Sequence, residues 1–318
     1  MEPNFERVRT ALLCQGEPDR VPLAEGGIDI GIKEAILGRP IQTARDEVDF
    51  WATAGYDFVP LQTGLRLMTA YGLSGEKEAT DERQALLLRN RRVGRAAYAV
   101  AHSRELRRDW AEEGRGIITT CAEMERFPWP EPAEYDAADL FAEVAAALRP
   151  GMKIIAYQGH IYTAVWELMG FECFCHALRD DPALVEALFE RIGSIQLAIL
   201  QRVADMPGVG AIWFPDDIAY VEGSIISPRH LRRYLFPWLR RMGEVCASRG
   251  LPFIFHSDGD VSEVVDELID CGFHALHPIE AKAMDIVQLK RRYAGRLCLK
   301  IGRAHVCTPV TVPYRMPS

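Results

Sequence analysis

His256-Ser257-Asp258-Gly259 sets an imidazole and a carboxylate two residues apart. In an extended segment such a pair faces the same way. Aimed into one pocket, the two groups can bind a divalent metal or serve as an acid/base pair. The tetrapeptide follows the apolar run Phe253-Ile254-Phe255, entered through Pro252, and an amphipathic helical pattern begins at Val261. A buried parallel strand ends this way, in a loop that presents polar side chains. A satisfied histidine at a strand end, with an aspartate capping the next helix, would leave the same letters.

The elements that must position this pair repeat along the chain. Apolar stretches expected to be strands are Val21–Ala24, Phe58–Leu61, Lys153–Tyr157, Ala211–Phe214, Pro252–His256, His274–His277 and Arg296–Lys300. Helical patterns lie between them at Ala44–Ala54, Tyr162–Leu178, Pro182–Ala204, Pro228–Arg249, Val261–Asp270 and Asp285–Tyr293. Asp181-Pro182 and Ser227-Pro228 read as helix start signals, where an aspartate or serine is expected to cap and proline to take the first turn. Gly250, Gly272 and Gly295 stand where helices end. Such alternation implies a parallel sheet of the α/β class. Neither a Gly-x-Gly-x-x-Gly nor a Gly-x-x-x-x-Gly-Lys motif occurs, which argues against Rossmann and P-loop folds. A (β/α)8 TIM barrel is the favoured architecture.

Active sites of such barrels lie at the C-terminal ends of the strands. There the first expected strand runs into Glu25, and the third into Gln158 and His160, with Tyr162 close behind. The fourth runs into Asp216-Asp217 and then Tyr220; the fifth ends in His256 and Asp258, the sixth in His277 and Glu280. Acids and imidazoles thus recur where the strands stop. This recurrence favours a site over chance capping. The candidates are Asp217, Glu280, His160 and Tyr162 for catalysis, and Glu25, Gln158, Tyr220 and His277 for substrate contact. His256 and Asp258 are the candidate metal ligands. Several have a plainer reading: Asp217 as the start of a turn, His160 as a surface-loop residue, and Glu280 as a partner of Lys282.

Composition narrows the function classes. The chain has 318 residues, 48% hydrophobic and 26% charged, with a net charge of −8. An acidic balance speaks against a nucleic-acid partner. No apolar run is long enough to span a membrane, and Met1-Glu2-Pro3-Asn4 does not open a signal peptide. Eight cysteines without framework spacing point to reduced thiols and a cytoplasmic setting. The substrate is expected to be a small molecule. Residues 84–132, arginine-rich and then turn-rich, break the rhythm and read as an insertion with a small antiparallel excursion.

Four segments together resemble one family. Phe5-Glu6-Arg7-Val8 through Gly16-Glu17-Pro18-Asp19-Arg20-Val21-Pro22 looks like the opening of the uroporphyrinogen decarboxylase superfamily. Asp216-Asp217 through Ile226-Ser227-Pro228 resembles its acidic strand end and Ser-Pro helix start, and His256-Ser257-Asp258-Gly259 its His-x-Cys-Gly or His-x-Asp-Gly loop. Asp285 through Lys290-Arg291-Arg292-Tyr293 is similar to its Asp-x-x-x-Leu-Lys-x-x-Tyr-Gly helix. The likeness spans residues 5–300 and implies a (β/α)8 barrel over 1–300. Family decarboxylases hold substrate carboxylates with an Arg-Gln-Ala-Gly-Arg segment. Here that place reads Glu25-Gly26-Gly27-Ile28-Asp29, acidic and arginine-free, which would repel a polycarboxylate. The other branch, corrinoid- or cobalamin-dependent methyltransferases, uses zinc held by His-x-Cys and a later cysteine. His256 falls on the histidine, and Asp258 on the first cysteine. The resemblance therefore implies zinc or another divalent metal, a methylcobalamin or corrinoid methyl carrier, a corrinoid-protein partner, and methyl transfer or O-demethylation. Glu280 or Asp217 would complete the coordination. A decarboxylase of the uroporphyrinogen type and a non-catalytic corrinoid- or tetrapyrrole-binding barrel are the alternatives.

The pattern stops at Lys300. The stretch that begins Ile301-Gly302-Arg303-Ala304-His305-Val306-Cys307 carries neither an amphipathic helix nor a further strand. Residues 301–318 read as an in-frame translation of a sequencing-library adapter, a non-native tail. The barrel is then expected to stop before its eighth strand, and His305 and Cys307 are not ligands.

Overall fold

The computed structural model describes residues 2–62, 116–132 and 137–300. Its strands are β1 (Phe58–Gln62), β2 (Lys153–Tyr157), β3 (Val209–Pro215), the short β4 (Ala219–Tyr220) and β5 (Gly223–Ser224), β6 (Phe253–His256), β7 (Ala275–His277) and β8 (Cys298–Leu299). Six of them form one sheet in the order β1-β2-β3-β6-β7-β8, and every neighbouring pair is parallel. Helices fill the crossovers, as a parallel sheet requires. No helix among the described residues is long and apolar enough to cross a membrane.

Strand alternation builds two cores. Phe58, Ile155, Ala211, Trp213, Ile254 and Ala275 point inward and form one apolar cluster. Their neighbours Val59, Ile154, Ile212, Phe253, Phe255 and Leu276 point outward into the helix layer. This period of two lets a barrel strand bury both faces, and explains why these strands read as continuous apolar runs. Among the described residues β1 and β8 end the hydrogen-bonded order without pairing to each other.

Helix Phe5–Leu12 closes the N-terminal end of the barrel. Its stripe Phe5, Val8 and Leu12 joins the inward cluster, and the Phe5 N–H donates to the Gly151 carbonyl at 2.8 Å. A buried ion network fixes the helix there. Asp57, fully buried before β1, accepts from the Asn4 N–H at 2.9 Å and from Arg7 at 2.5 Å. It also accepts from Arg20 at 3.2 Å, while Arg7 grips Asp19 with its remaining donors. The opening motif is thus a brace for the barrel floor.

Asp216 does comparable work at the other end. It leaves β3 fully buried and accepts the N–H groups of Ile161, Tyr162 and Thr163 at 2.9, 2.7 and 2.8 Å. These are orphan donors at the start of helix Tyr162–Met169, where the helix dipole also favours an anion. The bonds hold His160, whose φ of 73° is costly for a non-glycine residue, in a loop that also donates its N–H to the Pro215 carbonyl at 3.0 Å. Burial pushes the Asp216 carboxyl up to about 6, against the pull of the three N–H donors.

Several expected elements differ. Val21–Ala24 forms no strand: Val21 is 85% exposed, and Pro22 offers no N–H to a ladder. The pattern over Tyr162–Leu178 splits at Gly170, whose φ is 78°, into helices Tyr162–Met169 and Phe171–Asp180. Pro228–Arg249 carries a π-helical stretch, Leu231–Leu235, before helix Phe236–Ser248. Of the expected insertion, residues 84–115 lie outside the described residues. Residues 116–132 contain helix Cys121–Arg126. Separately, β4 and β5 pair antiparallel after β3. The tail 301–318 also lies outside the described residues.

Two outcomes are expected from these braces. Asp57→Ala strands the buried Arg7 with Asp19 alone and should cost about 3–5 kcal/mol in urea unfolding. For Asp216 the folded pKa lies above the unfolded one, so the native state takes up the proton first. Wild type should therefore gain stability relative to Asp216→Asn as pH falls from about 6 toward 4, by up to about 3 kcal/mol. A stability difference that stays flat over this range contradicts the assignment.

Candidate functional site

β6 delivers His256 in phase with the inward-pointing Ile254, at the C-terminal end of the sheet. Its imidazole is 10% exposed, and Nε2 lies 3.6 Å from an Asp217 carboxylate oxygen and 3.9 Å from one of Asp258. One ligand atom from each of the three residues falls within 4.8 Å of the others. Among the described residues no other such group of three occurs. Asp217 is 50% and Asp258 34% exposed, so the carboxylates sit at the mouth and the imidazole at the floor.

Backbone donors hold the loop in this shape. The Asp258 N–H donates to Asp217 at 3.0 Å, and the Gly259 N–H donates to Glu280 at 2.8 Å. The Ser257 hydroxyl accepts the Ile218 N–H at 3.0 Å and donates to the Asp258 carbonyl at 2.8 Å. Gly259 has φ of 84°, and a Cβ there would lie 2.6 Å from the Ala219 carbonyl, so the loop can pass the β4–β5 hairpin only as glycine. The Asp260 N–H donates to the Tyr220 carbonyl at 2.7 Å and pins the same hairpin.

Behind His256 stands His277. β6 and β7 pair these two residues directly, and their Nδ1 atoms are 2.7 Å apart. His277 in turn sets its ring edge-on to Trp213, with centroids 4.8 Å apart. Lys300, after β8, places its Nζ 3.1 Å from the centre of the Trp213 ring. Burial lowers the Lys300 pKa well below the usual lysine range, opposed by Cys298 and Glu25.

The expected site residues separate into three groups. Asp217, His256 and Asp258 converge, Glu280 braces their loop, and His277 backs the imidazole. Gln158 and Tyr162 turn away from the barrel interior. The Gln158 amide donates to the Gln196 carbonyl and side chain at 2.8 and 2.9 Å, joining β2 to helix Pro182–Val203. Tyr162 is fully buried against Phe174, and burial raises its phenol above the usual range. His160 stays on its strained loop, Tyr220 is 60% exposed on the hairpin, and the Glu25 carboxylate accepts its neighbour's Gly26 N–H at 3.0 Å. Trp213 and Lys300 escape a reading based on strand-end acids. Alternation along β3 from Ala211 to Trp213, and past β8 from Cys298 to Lys300, is the signal that would place them on the inward face.

The centre offers one imidazole nitrogen and carboxylate oxygens, a donor set that accepts a divalent cation. The profile of the uroporphyrinogen decarboxylase (URO-D) family matches residues 115–300, which include every residue of this centre. A methyltransferase from Methanosarcina mazei has a similar structure, with a TM-score of 0.58 and 17% identity. The alignment covers 93% of this chain and 82% of that one. At this identity the likeness shows the fold alone. No curated protein matches the sequence. With more than half its length matched by that profile and a parallel α/β sheet to go with it, the chain belongs to the uroporphyrinogen decarboxylase family.

Proposed function

We propose that this chain is a metal-dependent methyltransferase that moves a methyl group between a small oxygen- or sulfur-bearing molecule and a corrinoid carried by a partner protein. The observation that carries the reading is the convergence of Asp217, His256 and Asp258 at the strand ends. The methyltransferase that shares the fold is consistent with it. Loop residues Glu25 to Asp29 contain no arginine, which speaks against binding a polycarboxylated porphyrinogen. The methylated or methyl-accepting corrinoid is a co-substrate here, and its protein carrier a partner. A cytoplasmic setting belongs to the same proposal.

The donor set fits a resident divalent metal. His256 supplies a neutral nitrogen, and Asp217 and Asp258 supply charges that would otherwise repel each other. When bound, such a metal lowers the pKa of a coordinated thiol, hydroxyl or water, or polarises a methoxy oxygen. The remaining tasks fall to the chain itself. Asp217 holds the Asp258 N–H while presenting its carboxylate to the mouth. Glu280 holds Gly259 and so keeps the loop from swinging out. With carboxylate in place of thiolate the set is harder than a cysteine-bearing zinc site.

Metal analysis of the purified full-length chain should find about one equivalent of divalent metal, with affinity about tenfold or more weaker in His256→Ala. Absence of stoichiometric metal in wild type refutes the proposal. Asp258→Cys restores a thiolate and should shift competition between zinc and manganese strongly toward zinc. Equal preference before and after the change would remove Asp258 from the ligand set. Methylcobalamin with thiol acceptors, followed by cobalamin absorbance, tests the reaction class.

A further inference from the structure

We infer that His277 is a positioning residue for the metal centre: its Nδ1 accepts the Nδ1 proton of His256 and leaves the Nε2 lone pair of His256 facing Asp217 and Asp258. This role rests on the proposed metal site. The two Nδ1 atoms are 2.7 Å apart, a hydrogen-bond distance that accommodates one proton, neither two nor none. The other nitrogen of His256 lies 3.6 and 3.9 Å from the carboxylate oxygens, beyond a hydrogen bond. A nitrogen that ligates a cation must be bare, so the proton of a neutral His256 sits on Nδ1. His277 is then the acceptor.

The fold holds His277 for this task. It is 4% exposed, lies opposite His256 in the strand register, and rests against the Trp213 ring. Its carbonyl accepts the Ser257 N–H at 3.0 Å, which ties β7 to the very loop that carries Asp258. Metal-bound histidines commonly use a carboxylate or a backbone carbonyl as this second partner. A carboxylate here would add another negative charge, buried, beside Asp217 and Asp258. A neutral imidazole sets the tautomer without that cost.

Two substitutions separate an acceptor from a filler. His277→Asn keeps an acceptor oxygen near the position of Nδ1, whereas His277→Phe keeps a ring against Trp213 and loses the acceptor. Zinc affinity by chelator competition should fall about 10–100-fold in His277→Phe and stay near wild type in His277→Asn. The visible spectrum of the cobalt(II) form should follow the same order. Thermal unfolding of each metal-free variant reports any general loss of structure. If His277→Phe binds zinc like wild type, or if both variants lose zinc in step with their metal-free stability, His277 only packs and the inference fails. If wild type itself takes up no metal, the metal reading fails first and this inference with it. Should His277→Phe not fold, nitrogen-15 NMR of zinc-loaded wild type decides: a proton on His256 Nδ1 upholds the assignment, and a proton on Nε2 overturns it.

Discussion

Alternation of side chains along a parallel strand governs this molecule more than any single contact. Each strand sends one set of residues into the barrel and the other into the helix layer. Trp213, Ile254 and Ala275 fill the interior, and His256 and His277 continue those inward rows beyond them. The imidazoles meet because β6 and β7 stop in phase. Gln158 comes after the inward-pointing Tyr157, lands on the outer face, and bonds to Gln196 instead. One residue of register would exchange these fates.

The adjacent aspartates after β3 divide along similar lines. Asp216 is withdrawn from solvent and spends its oxygens on three backbone N–H groups of a helix start. Asp217 remains half exposed beside His256. The Asp216 N–H also donates to the His256 carbonyl at 2.8 Å, so the cap and the imidazole share a backbone link. A buried capping carboxylate therefore fixes the height of a strand end from which a half-exposed one projects beside His256. Since burial holds the Asp216 carboxyl near the weakly acidic range, this fixed point is itself sensitive to acid.

Much of this arrangement can be read from residues alone, for a definite reason. Strands buried on both faces leave long apolar runs, and β1, β2, β3, β6 and β7 fall where such runs lie. His256 and Asp258 stand out because polar residues end one of those runs abruptly. Val21–Ala24 misleads because four apolar letters say nothing of a partner strand, and Pro22 weakens any ladder they could join. The unbroken pattern over Tyr162–Leu178 hides a turn because Gly170 interrupts geometry without interrupting hydrophobic periodicity. Nor can spacing tell which of Asp216 and Asp217 is the cap. That depends on the N–H groups of Ile161 to Thr163, more than fifty positions away.

Acid-rich strand ends are easily mistaken for an equal number of reactive groups. Here Asp216 caps a helix, Glu280 holds Gly259, and Asp217 spends one oxygen on the Asp258 N–H. Three carboxylates thus stabilise loop backbone before any of them touches a ligand. That prior commitment restrains the side chains: a carboxylate already tied to a neighbouring N–H would lose little further freedom on meeting a cation. It also concentrates negative charge around an imidazole that sits at the base of the site, at the C-terminal strand ends, backed by a second imidazole and an indole. Repulsion between Asp217 and Asp258 opposes the folded loop, and the hydrogen bonds from the Asp258 and Gly259 N–H groups offset it. A divalent cation bound as proposed would relieve the same repulsion directly and would thereby couple its binding to the order of the loop.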